Sequence, residues 1–196
     1  MTANIPKQLI KCILSILHNG ISISRMSKIS FPFYIGKGLT VHNPTKIHIG
    51  KNFTIGSYSR LSCYGAVDKK GITIGNNVYI GSHFSAMSGG EIKIGSNTLI
   101  ASYVTVISEN HGMNPECRLP YGKQPLIEKS TSIGRNCWIG EKVTILPGIS
   151  IGDWSIIGAC SVVTTNIPPY SIAVGNPARI IKKYNHNMHF WEKTNE

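Results

Sequence analysis

The stretch Ile133–Val163, IGRNCWIGEKVTILPGISIGDWSIIGACSVV, places an aliphatic residue at every sixth position: Ile133, Ile139, Ile145, Ile151, Ile157 and Val163. A small or β-branched residue follows each by four: Cys137, Val143, Ile149, Ser155 and Ser161. A period of six would smear around an α-helix, and a hairpin meander needs turn pairs between its strands. Three short strands joined by corners satisfy it instead: they close one coil of eighteen residues, and stacked coils align the aliphatic side chains in ladders inside a prism. Gly or another small residue after each aliphatic suits a corner, where a side chain would crowd the bend.

The same register runs back through Ile94, Ile100 and Val106, then Ile74, Ile80 and Ala86, and more loosely through Ile35, Val41, Ile49, Ile55 and Leu61. No single coil can bury its inner face alone, so the repeats read as one cooperative solenoid. The 196 residues, 41% hydrophobic, suffice for one well-buried domain. The expected organisation is an all-β solenoid, a parallel β-helix over residues 31–180, preceded by a helical capping segment (1–30) and followed by a tail or short helix (181–196).

One break stands out. Ile133 follows Ile94 by thirty-nine residues, where one coil takes eighteen. The last intact hexad is VISENH, ending in His111 at a corner, and residues 112–132 form the expected protruding loop. A long segment without periodicity among tight corners points to a functional excursion, and Pro115, Pro120, Gly122 and Pro125 give it definition. Imidazole at such a place suits a general base, because its unperturbed pKa lies near neutrality. Glu109, two residues earlier, orients the ring if both side chains point the same way; otherwise it is a solvated loop carboxylate. No serine or cysteine sits in a nucleophile motif, so a covalent acyl-enzyme is not indicated. His83 and Ser85, one coil before, border the same region if the coils stack in register.

Five cysteines without a CxxC pair argue for free thiols in a reducing cytosol. The net charge of +11 suits an anionic partner, but no RRM, KH, zinc-finger or helix-turn-helix signature appears, and nucleic acid is not expected. In IPKQLIKCILSILHNG, Leu9, Ile10, Ile13, Leu14, Ile16 and Leu17 form an apolar helical stripe beside Lys7 and Lys11. It is too short to span a bilayer and lacks a cleavage site; it reads as a cap on the domain or as a peripheral membrane contact through residues 1–20.

The hexad pattern, the stretch IGSNTLIAS (Ile94–Ser102) two hexads before His111, and the segment ending in GNPAR (Gly175–Arg179) resemble the hexapeptide-repeat acetyltransferases. The resemblance is to the galactoside and maltose acetyltransferase group and, more closely, to bacterial O-antigen and capsule O-acetyltransferases. It implies a left-handed coil, a homotrimer with sites between subunits, His111 as general base, and acetyl-CoA as donor without a metal. It further implies coenzyme A contacts along Gly140, Gly158 and Ala159, at Thr164 and Thr165, and at Arg179, Lys182 and Lys183. Thr165 stands where the family commonly has lysine, so phosphate contact shifts onto the last three. Trp138, at the sixth position of its hexad and so expected at a corner, covers a cofactor arm or sugar face, or packs on a neighbouring subunit. The expected activity is direct acetyl transfer to a sugar hydroxyl in surface-polysaccharide synthesis, in the cytoplasm or at the inner face of the plasma membrane. Alternatives are N-acetylation of a nucleotide-linked amino sugar and a non-catalytic scaffold in a glycan assembly complex. A zinc-dependent carbonic anhydrase on the same fold needs three converging histidines, and no third joins His83 and His111.

Overall fold

The computed structural model describes residues 7–24, 28–65 and 71–194. Residues 1–6 and 25–27 of the expected capping segment and 195–196 of the expected tail lie outside the described residues.

Six coils stack into a three-faced prism. Face A is built by Lys28–Ile29, Ile47–Ile49, Ile72–Ile74, Ile92–Ile94, Thr131–Ile133 and Ser150–Ile151. Face B takes Phe33–Ile35, Phe53–Ile55, Tyr79–Ile80, Leu99–Ile100, Trp138–Ile139 and Ile156–Ile157. Face C takes Thr40–His42, Arg60–Cys63, Ser85–Ser88, Thr105–Ile107, Thr144–Ile145 and Val162–Val163. Every coil-to-coil pairing is parallel, so each strand finds its partner one coil away. The aliphatic residues of the Ile133–Val163 hexads are all buried, and so are Cys137, Val143, Ile149, Ser155 and Ser161.

Corners between faces A and B place Asn52, Asn77, Asn97 and Asn136 at positive φ, the left-handed region that asparagine tolerates better than most residues. Their amides also form a ladder: Asn52 donates to Asn77 at 2.8 Å and Asn77 to Asn97 at 2.9 Å. The asparagine of each such hexad therefore bends the chain and ties one coil to the next.

The tail continues the sheet and contains no helix among its described residues. Ala178–Asn185 turns back antiparallel on Ser171–Gly175, the last strand of face B, and Phe190–Lys193 pairs with it in turn. Alternating burial along Ala178–Asn185 suits a strand and not a helix. Tyr184 and His186 pack on Tyr170 and Trp191, and with Trp154 and His189 they line a cavity of about 490 Å³.

The helix Lys7–Ser24 closes the opposite end, and it does so with polar atoms. The open edge of face B in the first coil carries backbone groups with no further coil to bond them. Ser15, fully buried, accepts the Ile35 N–H at 2.8 Å. Asn19 donates to the Gly36 carbonyl at 3.0 Å and accepts the Leu39 N–H at 3.1 Å, and the Cys12 thiol donates to the Phe33 carbonyl at 2.9 Å. The apolar stripe points away from the prism. Leu9, Ile10, Ile13, Leu14, Ile16 and Leu17 are exposed, Leu17 to 74%.

Buried backbone groups that lose a side-chain partner cost roughly 1–3 kcal/mol. Ser15→Ala and Asn19→Ala should each lower stability by about that amount, whereas Leu17→Ser should change it by less than about 0.5 kcal/mol. Thermal unfolding of the three variants checks this ordering.

Candidate active site

The long insertion leaves the solenoid at the end of the fourth coil's face C strand and returns at face A without disturbing the stack. Ile92–Ile94 pairs directly with Thr131–Ile133, and Leu99 with Trp138. Two short antiparallel strands form the neck of the excursion, Glu109 opposite Glu128 and Asn110 opposite Ile127. Periodicity resumes at Thr131, so the irregular part ends at Ser130 and not at Ser132. Beyond the neck the chain is organised around Gln124, which is 6% exposed. Its amide accepts the Asn114 N–H and donates to the Asn114 and Leu119 carbonyls, all at 3.0 Å. Gly112 lies against Gln124, where an added Cβ would meet its side chain at 2.7 Å.

His111 is the first residue beyond the neck and is exposed. Glu109 precedes it on the outer side of face C and folds over Gly89 of the coil below, where a Cβ would meet the carboxylate at 2.4 Å. Glycine at 89 is thus the condition for the carboxylate's position. The Oε2 atom of Glu109 is buried with no hydrogen-bond partner among the described residues. Burial holds the Glu109 carboxyl above the usual carboxylate range, the facing Glu128 adds to this, and His111 and Arg60 oppose it. Arg60 itself donates to Ser62 at 2.9 Å and to the Tyr64 hydroxyl.

The outer side of face C therefore gathers Arg60, Tyr64 and Glu109, from the second and fourth coils, beside His111, whereas Ser85 begins its strand at the far end. Ser85 sits between Arg60 and Thr105 in the strand register. His83 does not join this group. It occupies the corner just before that strand, stacked between Tyr58 at 5.6 Å and Tyr103 at 4.6 Å between ring centroids. No group of three or more His, Cys, Asp or Glu able to hold a metal ion occurs among the described residues. Arg60, Tyr64, Gly89 and Glu128 carry no sequence signal of their own, since only the stacking of coils brings them to His111.

The residues assigned to the donor are spread over the prism. Gly140, Gly158 and Ala159 line the edge between faces B and C, where coils approach so closely that a Cβ on Gly140 would meet the Ala159 backbone at 2.5 Å. Thr164 and Thr165 are exposed at the far end of face C. Arg179 and Lys183 point to the exposed side of the C-terminal hairpin and Lys182 to the other. Trp138 does not stand at a corner. It lies in the face B strand Trp138–Ile139, with its indole outward and 52% exposed. The inward ladder takes the residue after it, and strand alternation turns the indole to the outer surface, where it is flanked by Leu99 and Ile156. The described residues place these groups on different edges and faces of one chain.

A hexapeptide solenoid with one histidine-bearing excursion defines a class of transferase, and comparison with known proteins agrees. The family model described as bacterial transferase hexapeptide (six repeats) matches residues 130–165. The chain is 37% identical over 171 residues, 84% of its length and 83% of the relative's, to WbbJ of Escherichia coli K12, provisionally assigned to O-acetyl transfer in lipopolysaccharide biosynthesis. It is 38% identical over 123 residues, 62% of its length and 59% of the relative's, to the galactoside O-acetyltransferase of the same organism. Among solved structures it resembles a serine-to-alanine mutant of AntD, an N-acyltransferase from Bacillus cereus, in complex with dTDP-4-amino-4,6-dideoxyglucose and coenzyme A. That match has TM-score 0.71 and 25% identity, over 86% of this chain and 90% of the other. A maltose O-acetyltransferase from Clostridium difficile 630 matches with TM-score 0.59 and 27% identity, over 94% and 91% of the two chains. The chain belongs to the hexapeptide-repeat acetyltransferases, whose prism is a left-handed parallel β-helix.

Glu109 offers a pH test of the site. Folding raises its pKa, so the protonated form is favoured in the native state. That contribution is complete below the ordinary glutamate range and is lost as pH rises through the folded value. Glu109→Gln stays neutral, so its stability relative to the parent should improve as pH rises from acid to neutral. Parallel unfolding curves for the two proteins across that window would contradict the burial of this carboxylate.

Proposed function

We propose that the protein is an acetyl-CoA-dependent O-acetyltransferase acting on a sugar of a bacterial surface polysaccharide, O-antigen or capsule. The observation that carries this reading is His111 at the neck of the long excursion, beside a half-buried carboxylate and a polar sheet face. The acceptor lies on the outer side of face C, with Arg60 and Tyr64 within its reach. Its hydroxyl proton passes to the His111 imidazole while the oxygen attacks the thioester carbonyl carbon. The tetrahedral oxyanion collapses, the C–S bond breaks, and the coenzyme A thiolate takes the proton from the imidazolium. Glu109 acts as a positioning residue that holds the ring. A thioester is already activated, so alignment and one base supply most of what the transfer requires.

The donor runs along the edge at Gly140, Gly158 and Ala159, toward Thr164 and Thr165, with Arg179, Lys182 and Lys183 near its phosphates and Trp138 against the adenosine or the neighbouring chain. Arginine offers a planar fork for phosphate oxygens, and lysine a mobile point charge. His111 lies at the other edge of face C, so this reading needs an adjoining chain to complete each site, and a homotrimer supplies it. The enzyme works in the cytoplasm, where the donor is made, or at the inner face of the plasma membrane.

The likeness to AntD supports a second reading, N-acylation of an amino sugar carried on a nucleotide. Thiol release from acetyl-CoA, measured with hydroxyl sugars and with a dTDP-amino sugar as acceptors, separates the two. His111→Ala should lower acetyl transfer by roughly 10²–10⁴-fold while coenzyme A still binds. A variant that keeps the full rate would remove His111 from the mechanism.

A further inference from the structure

The N-terminal helix is arranged in the opposite sense to a helix that belongs to a globular core. Up to the kink at Asn19 its inward residues, Cys12, Ser15 and Asn19, are polar or small and direct their hydrogen-bonding groups to the edge of the first coil, and beyond the kink Ile23 is buried in the core. Six large aliphatic residues ahead of that kink, Leu9, Ile10, Ile13, Leu14, Ile16 and Leu17, face outward, and each is at least 41% exposed. Lys7 and Lys11, both exposed, border that face. No Asp or Glu occurs within Lys7–Ser24.

Charge follows the same axis. The first ninety residues carry ten Lys and Arg against one acidic residue, and the remaining 106 carry ten against eight. Among the described residues, the helix and the first two coils carry seven Lys and Arg and no acidic residue. Lys28, Lys37 and Lys51 are exposed around the first two coils, next to the helix. The helix-capped end is both apolar and basic.

We propose that this end is a docking surface for an anionic lipid bilayer, with the helix lying in the interface plane and the solenoid standing on it. An apolar face flanked by lysines is the pattern that buries its aliphatic side in the headgroup boundary while basic groups meet anionic headgroups. The helix does not cross: none among the described residues is long and apolar enough to do so. A second copy of the chain fits this surface less well, because pairing two such faces would bring two lysine collars of like charge together. His111, in the fourth coil, stands about three coil spacings above the first, roughly 15 Å at strand-pair separation, within reach of a lipid-borne substrate. The docking itself is independent of the sugar-acylating reading; only this last consequence rests on it.

Co-sedimentation of the full chain with phosphatidylcholine vesicles, and with vesicles of phosphatidylcholine and phosphatidylglycerol, tests the proposal. Binding to the mixed vesicles is expected, with weak binding to phosphatidylcholine alone and a decline as salt is raised. The double variant L14E/L17E should lose roughly tenfold or more of this binding with its thermal unfolding unchanged, since both side chains are already exposed. K7E/K11E should weaken binding to the mixed vesicles several-fold, and it carries the test if L14E/L17E does not fold. Absence of parent binding to anionic vesicles, or binding unchanged in the folded variants, overturns the proposal. Light scattering that shows L14E/L17E breaking an assembly, without any vesicle binding by the parent, overturns it in favour of a contact between copies of this chain.

Discussion

Everything in this molecule depends on parallel backbone pairing from one coil to the next, held in register by inward isoleucines. The register survives its longest interruption: Gly95 donates to the Ile133 carbonyl at 2.8 Å, and Leu99 to the Cys137 carbonyl at 2.9 Å, across the whole insertion. The solenoid can therefore extrude a long segment at one corner while its core stays intact. Thr131 seals the joint, its hydroxyl donating to the Ile107 carbonyl at 2.7 Å and its N–H to the Glu91 carbonyl at 2.9 Å. His111 is held at a fixed place on a rigid prism, while the excursion beyond it is free to vary.

A stack with parallel pairing leaves unbonded backbone at both ends, and the two ends solve this differently. At the C-terminal end the chain folds back as an antiparallel hairpin and supplies main-chain partners. At the N-terminal end a helix supplies side-chain partners through Cys12, Ser15 and Asn19. The second solution explains why an amphipathic helix turns its polar side inward: the edge of a sheet needs hydrogen bonds more than apolar contact. It leaves the aliphatic side of the helix facing out at the end where positive charge is concentrated.

The fold is legible in Ile133–Val163 because a sixfold period admits few structures, and His111 is legible because the period fails there. Repeat position locates a residue as inward or outward only when strand alternation is respected along with it. Counting hexads alone puts Trp138 at a corner, because the count does not ask which residue of the strand turns inward. Arg60, Tyr64 and Gly89 are not legible at all. They lie twenty to fifty residues before His111, in coils whose lengths differ, and only stacking brings them together. The direction of the N-terminal helix is equally hidden, since an amphipathic pattern does not say which face meets the partner.

The separation of Gly140, Gly158 and Ala159 from His111, at opposite edges of face C, carries the central proposal, that each complete site forms between chains. A crystal structure of the protein with coenzyme A bound tests it most directly. The account predicts the pantetheine arm along Gly140 and Ala159 of one chain, with its thiol facing His111 of an adjoining chain. Coenzyme A bound within a single chain away from any His111, for instance in the aromatic cavity of Trp154, Tyr184 and Trp191, would contradict it.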